Sequence, residues 1–223
     1  RSLARLIKNP AERTPKAAKL LGALLMFLKA TPYIYEGEEI GMVNNERTSI
    51  DQFDDISSKS QYERAQLEGY SPEEALRFVN RRSRDNTRSP MCWDDSVYAG
   101  FSSVKPWLMM NEKSKEINVE KEIHDSNSVL SFYKQLIALR QKNVDLIVDG
   151  TFKALETSDS VVAYARTLDN ETLICMNNMH NAEETIDLDG DYEVLLSNDT
   201  VVNNDNQYTL SGWQTLVLKK SEK

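Results

Sequence analysis

Soft ligands and thiols are scarce in this 223-residue chain, which holds two cysteines and two histidines. Cys92 and Cys175 lie far apart in dissimilar contexts. That pattern suggests reduced thiols of a cytoplasmic protein and leaves a single disulfide open. His124 and His180 have no metal-ligand spacing and read as surface residues, so neither a metal nor a cofactor is expected. No run approaches eighteen uncharged apolar residues, and nothing is expected to span a bilayer. No secretory signal is visible, although the chain starts at Arg1 rather than Met. Net positive charge is also lacking. A formal balance of -8 argues against a nucleic-acid surface and against attraction to anionic membranes. P-loop, nucleophile-elbow and zinc spacings are absent, as are internal repeats and low-complexity tracts.

What remains is a chain of 40% apolar and 28% charged residues, long enough for one large domain or two smaller ones. Residues 1–13 are basic and mixed, with Pro10 and Pro15 as breaks. From Lys16 to Lys29, apolar positions 17, 20, 21, 24, 25 and 28 recur at helical spacing. Ala23, Met26 and Phe27 also make the opposite face apolar, so this helix should be covered on more than one side. After Ala30, residues 31–36 read as a short buried strand. Tyr33, Ile34 and Tyr35 have strand character, and Pro32 fits a strand's first residue. Gly37 and Gly41 end it, with Glu36, Glu38 and Glu39 at its carboxyl end. In parallel α/β folds chemistry sits at that end. Two readings are open for these glutamates: direct chemistry, or bonds to nearby backbone or arginine.

Residues 41–70 show little hydrophobic periodicity and read as a long excursion outside the sheet. Ser71-Pro72-Glu73-Glu74 supplies an N-cap, a first-turn proline and a capping-box glutamate, which predicts a helix from Pro72 to near Arg82. A further helix is predicted over 128–142 from the spacing of Val129, Phe132, Tyr133, Leu136, Ile137 and Arg140. Beyond it the period changes. Short β-rich runs at 151–156, 161–166, 171–177, 183–188, 192–196 and 213–218 are separated by turn residues, the pattern of an antiparallel sandwich or small barrel. The boundary is placed near residue 144.

The densest polar stretch is Ser83-Arg84-Asp85-Asn86-Thr87-Arg88-Ser89-Pro90-Met91-Cys92-Trp93-Asp94-Asp95. Arg84 and Arg88 flank Asp85 and Asn86, and a guanidinium fork suits carboxylates or vicinal sugar hydroxyls. Trp93 offers a face on which a sugar ring could stack. Equally, these residues could pin a long loop through internal ion pairs and Asx turns. From spacing alone the two readings carry equal weight.

Residues 31–42 and 83–94 strongly resemble the C-terminal part of the oligo-1,6-glucosidase and dextran-glucosidase branch of the α-amylase superfamily. Ala99-Gly100-Phe101, Pro106-Trp107, Glu116-Ile117-Asn118-Val119 and the helix Ser131–Arg140 add to the resemblance, which runs over essentially the whole chain. The family usually has glutamine where this chain has Glu36 and Cys92. The resemblance implies an incomplete C-terminal segment of a (β/α)8 barrel over 1–143, followed by an antiparallel β-sandwich over 144–223. Lys16–Lys29 would be the seventh helix, 31–36 the eighth strand, 41–127 the eighth βα loop and 128–142 the eighth helix.

Members of that branch are retaining exo-acting α-glucosidases with an Asp nucleophile and a Glu acid/base. A third Asp, within an Asn-His-Asp motif, helps hold the distorted sugar. The resemblance places all three carboxylates on earlier strands, with the Asn-His-Asp motif just before Arg1. No catalytic residue is therefore expected here. Arg88 resembles the arginine that closes the non-reducing end of the glucose pocket. Arg84 is a second substrate-binding candidate that reads more as a loop organiser, while Trp93, Glu38 and Glu39 read as packing residues. The implied function is that part of an enzyme hydrolysing short α-1,6-glucans, inactive alone, with an oligosaccharide as substrate of the complete enzyme. Trehalose-6-phosphate hydrolase and a non-catalytic partner module or split-enzyme half are the alternatives. A strand at 31–36 without barrel neighbours is expected to self-associate or pair with an N-terminal barrel fragment.

Overall fold

The computed structural model describes residues 2–220. In chain order the helices are α1 (Ser2–Leu6), α2 (Pro15–Met26), α3 (Ile56–Leu67), α4 (Pro72–Arg82), α5 (Val119–His124), α6 (Val129–Lys142) and α7 (Val144–Val148). The strands are β1 (Thr151–Ala154), β2 (Val161–Leu168), β3 (Glu171–Asn178), β4 (Glu184–Asp187), β5 (Tyr192–Ser197), β6 (Val202–Asn204), β7 (Gln207–Leu210) and β8 (Thr215–Lys220). They form two compact units that interleave along the chain. One comprises residues 2–13 and 35–128, the other 14–34 and 129–220.

The second unit is built on a five-stranded antiparallel sheet in the order β1-β2-β3-β8-β5, faced by a three-stranded sheet in the order β4-β7-β6. Alternation along β2 divides its side chains between two cores. Val161, Ala163 and Ala165 point toward the small sheet, where they meet Ile186, Tyr208 and Leu210. Tyr164 points the other way, together with Leu173, Cys175 and Val217. That face is covered by Ala23 and Met26 of α2 with Phe27 directly after it, Phe132 and Leu136 of α6, and Leu146 and Ile147 of α7. A sheet covered on both faces needs apolar residues at successive positions. Accordingly, β3 is buried without interruption from Leu173 to Asn178.

The extra apolar face of α2 is thus accounted for: it lies between the sheet and α6. Gly22 is required there, because a Cβ would come within 2.8 Å of the Tyr133 ring. Thr14 caps the helix by accepting a hydrogen bond from the Ala17 amide at 3.3 Å. The helix ends at Met26 rather than Lys29. Arg140 takes up the carbonyl groups beyond that end, donating to the Met26 oxygen and, at 3.0 Å, to the Ala30 oxygen. Cys175 is buried among these side chains as a free thiol, pushed up to about 11 by burial, and Cys92 is also buried and outside any disulfide.

Several expectations need correction. Residues 31–36 form no strand. Tyr33, Ile34 and Tyr35 are instead exposed, Tyr33 by 81%. A strand exists only through ladder hydrogen bonds to a neighbouring strand, and among the described residues no strand pairs with this segment. Residues 41–70 are not wholly irregular, since α3 occupies Ile56–Leu67 with only Ser58 buried. A helix that buries so little leaves no apolar period to read. Helix α5 and strands β6 and β7 were likewise not foreseen. Strand β8 begins at Thr215 rather than 213, where Trp213 adopts a positive φ of 58°. The helix Pro72–Arg82 forms as the capping box predicts, with Ser71 and Glu74 exchanging hydrogen bonds at 3.2 and 3.0 Å. His124 and His180 are both exposed.

Candidate functional site

The 83–95 loop lies in the first unit, and its anchor is Asp85. This carboxylate is fully buried. One oxygen accepts the backbone amides of Asp54 and Asp55 at 2.8 and 3.1 Å. The other accepts from Arg88 in an ion pair. A buried carboxylate holds its charge only with this sort of partnering. Asp85 therefore ties the loop to the segment that leads into α3 and fixes one edge of the Arg88 guanidinium. The central carbon of that guanidinium lies over the Trp107 ring, 5.6 Å from its centre. Its side chain stays 38% exposed, which leaves donors open to solvent.

Arg84 faces a different carboxylate. Its Nε and Nη2 both donate to one oxygen of Asp55, at 3.1 and 2.6 Å. The Ser58 hydroxyl donates to the other at 2.8 Å. The Arg84 hydrogen bond, with help from Ser58, holds the Asp55 carboxyl down at about 2, against the opposing effect of burial. Neither Asp85 nor Asp55 is free to attack a sugar. A retaining pair also needs two carboxyl groups about 5 Å apart across the bond. The groups this loop leaves available for contact with a ligand are guanidinium and aromatic side chains.

Behind the loop sits Arg47, 2% exposed, with its guanidinium 4.8 Å from the Phe53 ring centre. Its Nη1 donates to the Asn86 oxygen at 3.0 Å, and the Asn86 amide donates to the Asn80 carbonyl at 2.7 Å. Asn80 and the Arg47 backbone exchange two further bonds, at 2.9 and 2.7 Å. Nε and Nη2 of Arg47 have no hydrogen-bond partner among the described residues. Burial accordingly lowers the Arg47 pKa, opposed by the nearby Asp85 charge.

Of the residues singled out from sequence, Arg84, Arg88, Asp85 and Asn86 converge on one network. Trp93 does not join it; Trp107 supplies the ring on Arg88. Glu38 accepts from the Tyr35 amide at 3.4 Å, the local-backbone role, while one Glu39 oxygen is buried without a partner among the described residues. Sequence reasoning missed Asp55 and Arg47. Both lie in the 41–70 stretch, where no spacing signal marks them, and only contact with the later loop gives them a role. Among the described residues no group of three or more His, Cys, Asp or Glu side chains is placed to hold a metal, and no helix is long and apolar enough to cross a membrane.

The α-amylase catalytic-domain model matches residues 1–150, and the C-terminal-domain model of the α-amylase SusG matches 161–217. The chain belongs to the α-amylase family. It is 44% identical to the oligo-1,6-glucosidase of Parageobacillus thermoglucosidasius over 165 residues, covering 73% of this chain and 29% of that protein. It is 38% identical to the oligo-1,6-glucosidase of Bacillus cereus over 212 residues, covering 92% of this chain and 38% of that protein. The crystal structure of Bacillus licheniformis trehalose-6-phosphate hydrolase superposes with a TM-score of 0.93 at 32% identity, over all of this chain and 41% of that one. The chain thus spans well under half the length of these proteins. Its fold is a fragment of the α-amylase catalytic domain followed by an antiparallel β-sheet domain.

Proposed function

We propose that this chain is the C-terminal portion of a cytoplasmic retaining α-glucosidase that hydrolyses short α-1,6-linked glucans. Within it, Arg88 binds hydroxyl groups of the terminal sugar, and Arg84 organises the loop that presents Arg88. The observation that carries this reading is the partly exposed Arg88 guanidinium, paired with buried Asp85 and lying over the Trp107 ring. A planar fork fixed on two sides reads vicinal hydroxyls at little entropic cost. The similarity to oligo-1,6-glucosidases over most of the chain supports the linkage class. The nucleophile and acid/base supply most of the rate of such enzymes. Residues 1–223 alone are therefore inactive. Exposed Tyr33, Ile34 and Tyr35 support self-association or pairing with the remaining barrel as the expected behaviour of the isolated polypeptide.

Incubation of the purified chain with isomaltose or a nitrophenyl α-glucoside tests the first part; turnover above buffer would overturn it. In the complete enzyme carrying this segment, Arg88→Ala should raise KM for isomaltose by at least about tenfold, and an unchanged KM would remove Arg88 from the pocket. Trehalose-6-phosphate hydrolysis is the second reading, favoured by the superposition over the full chain. Preference of the complete enzyme for trehalose 6-phosphate over isomaltose would decide for it.

A further inference from the structure

On the first unit an open groove of about 630 Å³ is lined by Arg5 from the last turn of α1, Arg81 and Arg82 from the last turn of α4, and Arg84 from the loop that follows. Ser83 and Asn86 also line it, and among the described residues no acidic side chain does. In a chain of net charge -8 this gathering of one sign runs against the average. The four arginines are not equivalent. Arg84 is neutralised by Asp55. Arg5, Arg81 and Arg82 have no carboxylate within ion-pair distance among the described residues. Glu46, with Arg13 and Arg77, lines an adjoining groove that shares Arg81, so one acidic group is near but lies outside.

The last turn of a helix already favours cations, which explains how Arg81 and Arg82 are tolerated side by side. It does not explain a third guanidinium from α1 brought to the same groove. Behind Asn86, Arg47 adds a further buried positive charge through its 3.0 Å hydrogen bond. The hydrogen-bonding groups of the floor are committed: Asn86 to Arg47 and to Asn80, and Ser83 to Ser58 and Asp85. Its open donors are the guanidinium groups, whose forks match tetrahedral oxyanions two oxygens at a time.

We propose that this groove binds a doubly charged oxyanion of the phosphate class, as the free ion or as a monoester, between Arg5, Arg81 and Arg82. The proposal does not depend on the glucosidase reading, because none of these three arginines belongs to the Arg88 pocket. Titration calorimetry of the purified chain at low ionic strength, with inorganic phosphate and separately with methyl phosphate, tests it. Saturable binding is expected for the free ion. Comparable binding of methyl phosphate would show that esters are accepted, and its failure to bind would restrict the site to the free ion. The R81Q/R82Q double variant should weaken binding by at least about tenfold, whereas Arg64→Gln, an exposed arginine elsewhere on the unit, should leave it unchanged. Both sites are at the surface, and circular dichroism of each variant verifies the fold. Absence of saturable heat, equal loss in both variants, or complete displacement by chloride at matched ionic strength would each overturn the proposal.

Discussion

The two units hold themselves together by different means. The one with the sheets has two contiguous apolar clusters, one on each face of the five-stranded sheet. The one with the arginine loop is short of regular elements and keeps four polar side chains buried: Arg47 bonded to Asn86, Asp55 to Arg84 and Asp85 to Arg88. Apolar burial is additive and tolerant of direction, whereas a buried polar network functions only when its members are all in place. The sheet unit should therefore lose stability in proportion to volume removed, and the loop unit should fail at single nodes.

The largest expected effect tests the first half of that contrast. Leu136 of α6 is fully buried in the cluster it forms with α2, α7 and the sheet. Leu136→Ala should cost about 3–4 kcal/mol in urea unfolding, read by Trp213 fluorescence in a background where Trp93 and Trp107 are phenylalanine. A loss below about 1 kcal/mol would mean that the site collapses freely and the core is not close-packed.

Asp85→Ala strikes the other unit. It leaves the Asp54 and Asp55 amides and Arg88 without their acceptor, and about 2–3 kcal/mol is expected. Because Arg88 is partly exposed and can rehydrate, the cost stays below that of a wholly buried pair. Trp93 and Trp107 report it, and an effect confined to Trp213 would contradict the contrast.

The smallest effect is a pH dependence. Asp55 is held at about 2, below its unfolded value of about 4, chiefly by Arg84. The group thus adds stability that is fully present above about pH 4 and disappears as pH falls toward 2. Discounted for the exposed Arg84, its size is on the order of 1–2 kcal/mol. Comparison of Asp55→Asn with the parent chain between pH 5 and about 2 should show a steeper loss in the parent, since Asp199, also held at about 2 chiefly by Lys16, contributes equally to both. Equal slopes would show that Asp55 contributes nothing across this range.

The same contrast explains what the amino-acid sequence disclosed. Helices α4 and α6 and most strands were legible because capping residues and periodic burial leave their mark on consecutive positions. Strands β6 and β7, at three and four residues, are too short for a period to stand out. Helix α3 buries a single serine and so has no stripe. Arg84, Asp85 and Arg88 were visible as a dense polar group. Asp55 and Arg47 were not, since each joins the network from tens of residues away and carries no local signature, and Trp107 stood out only as part of the resemblance, with nothing to mark its place on Arg88. The misread segment is 31–36, whose composition is that of a strand. Composition states a preference, and a ladder also needs a second edge.

The chain passes between the two units three times, after residues 13, 34 and 128. No single peptide-bond cleavage can release either unit intact. A stop codon after residue 128 would delete every strand yet retain 14–34, stripping Met26 and Phe27 of the side chains that shelter them. Domain-swapped chimeras built from this polypeptide would accordingly need several junctions, and a single crossover anywhere from residue 14 to 128 would divide at least one unit between two parents.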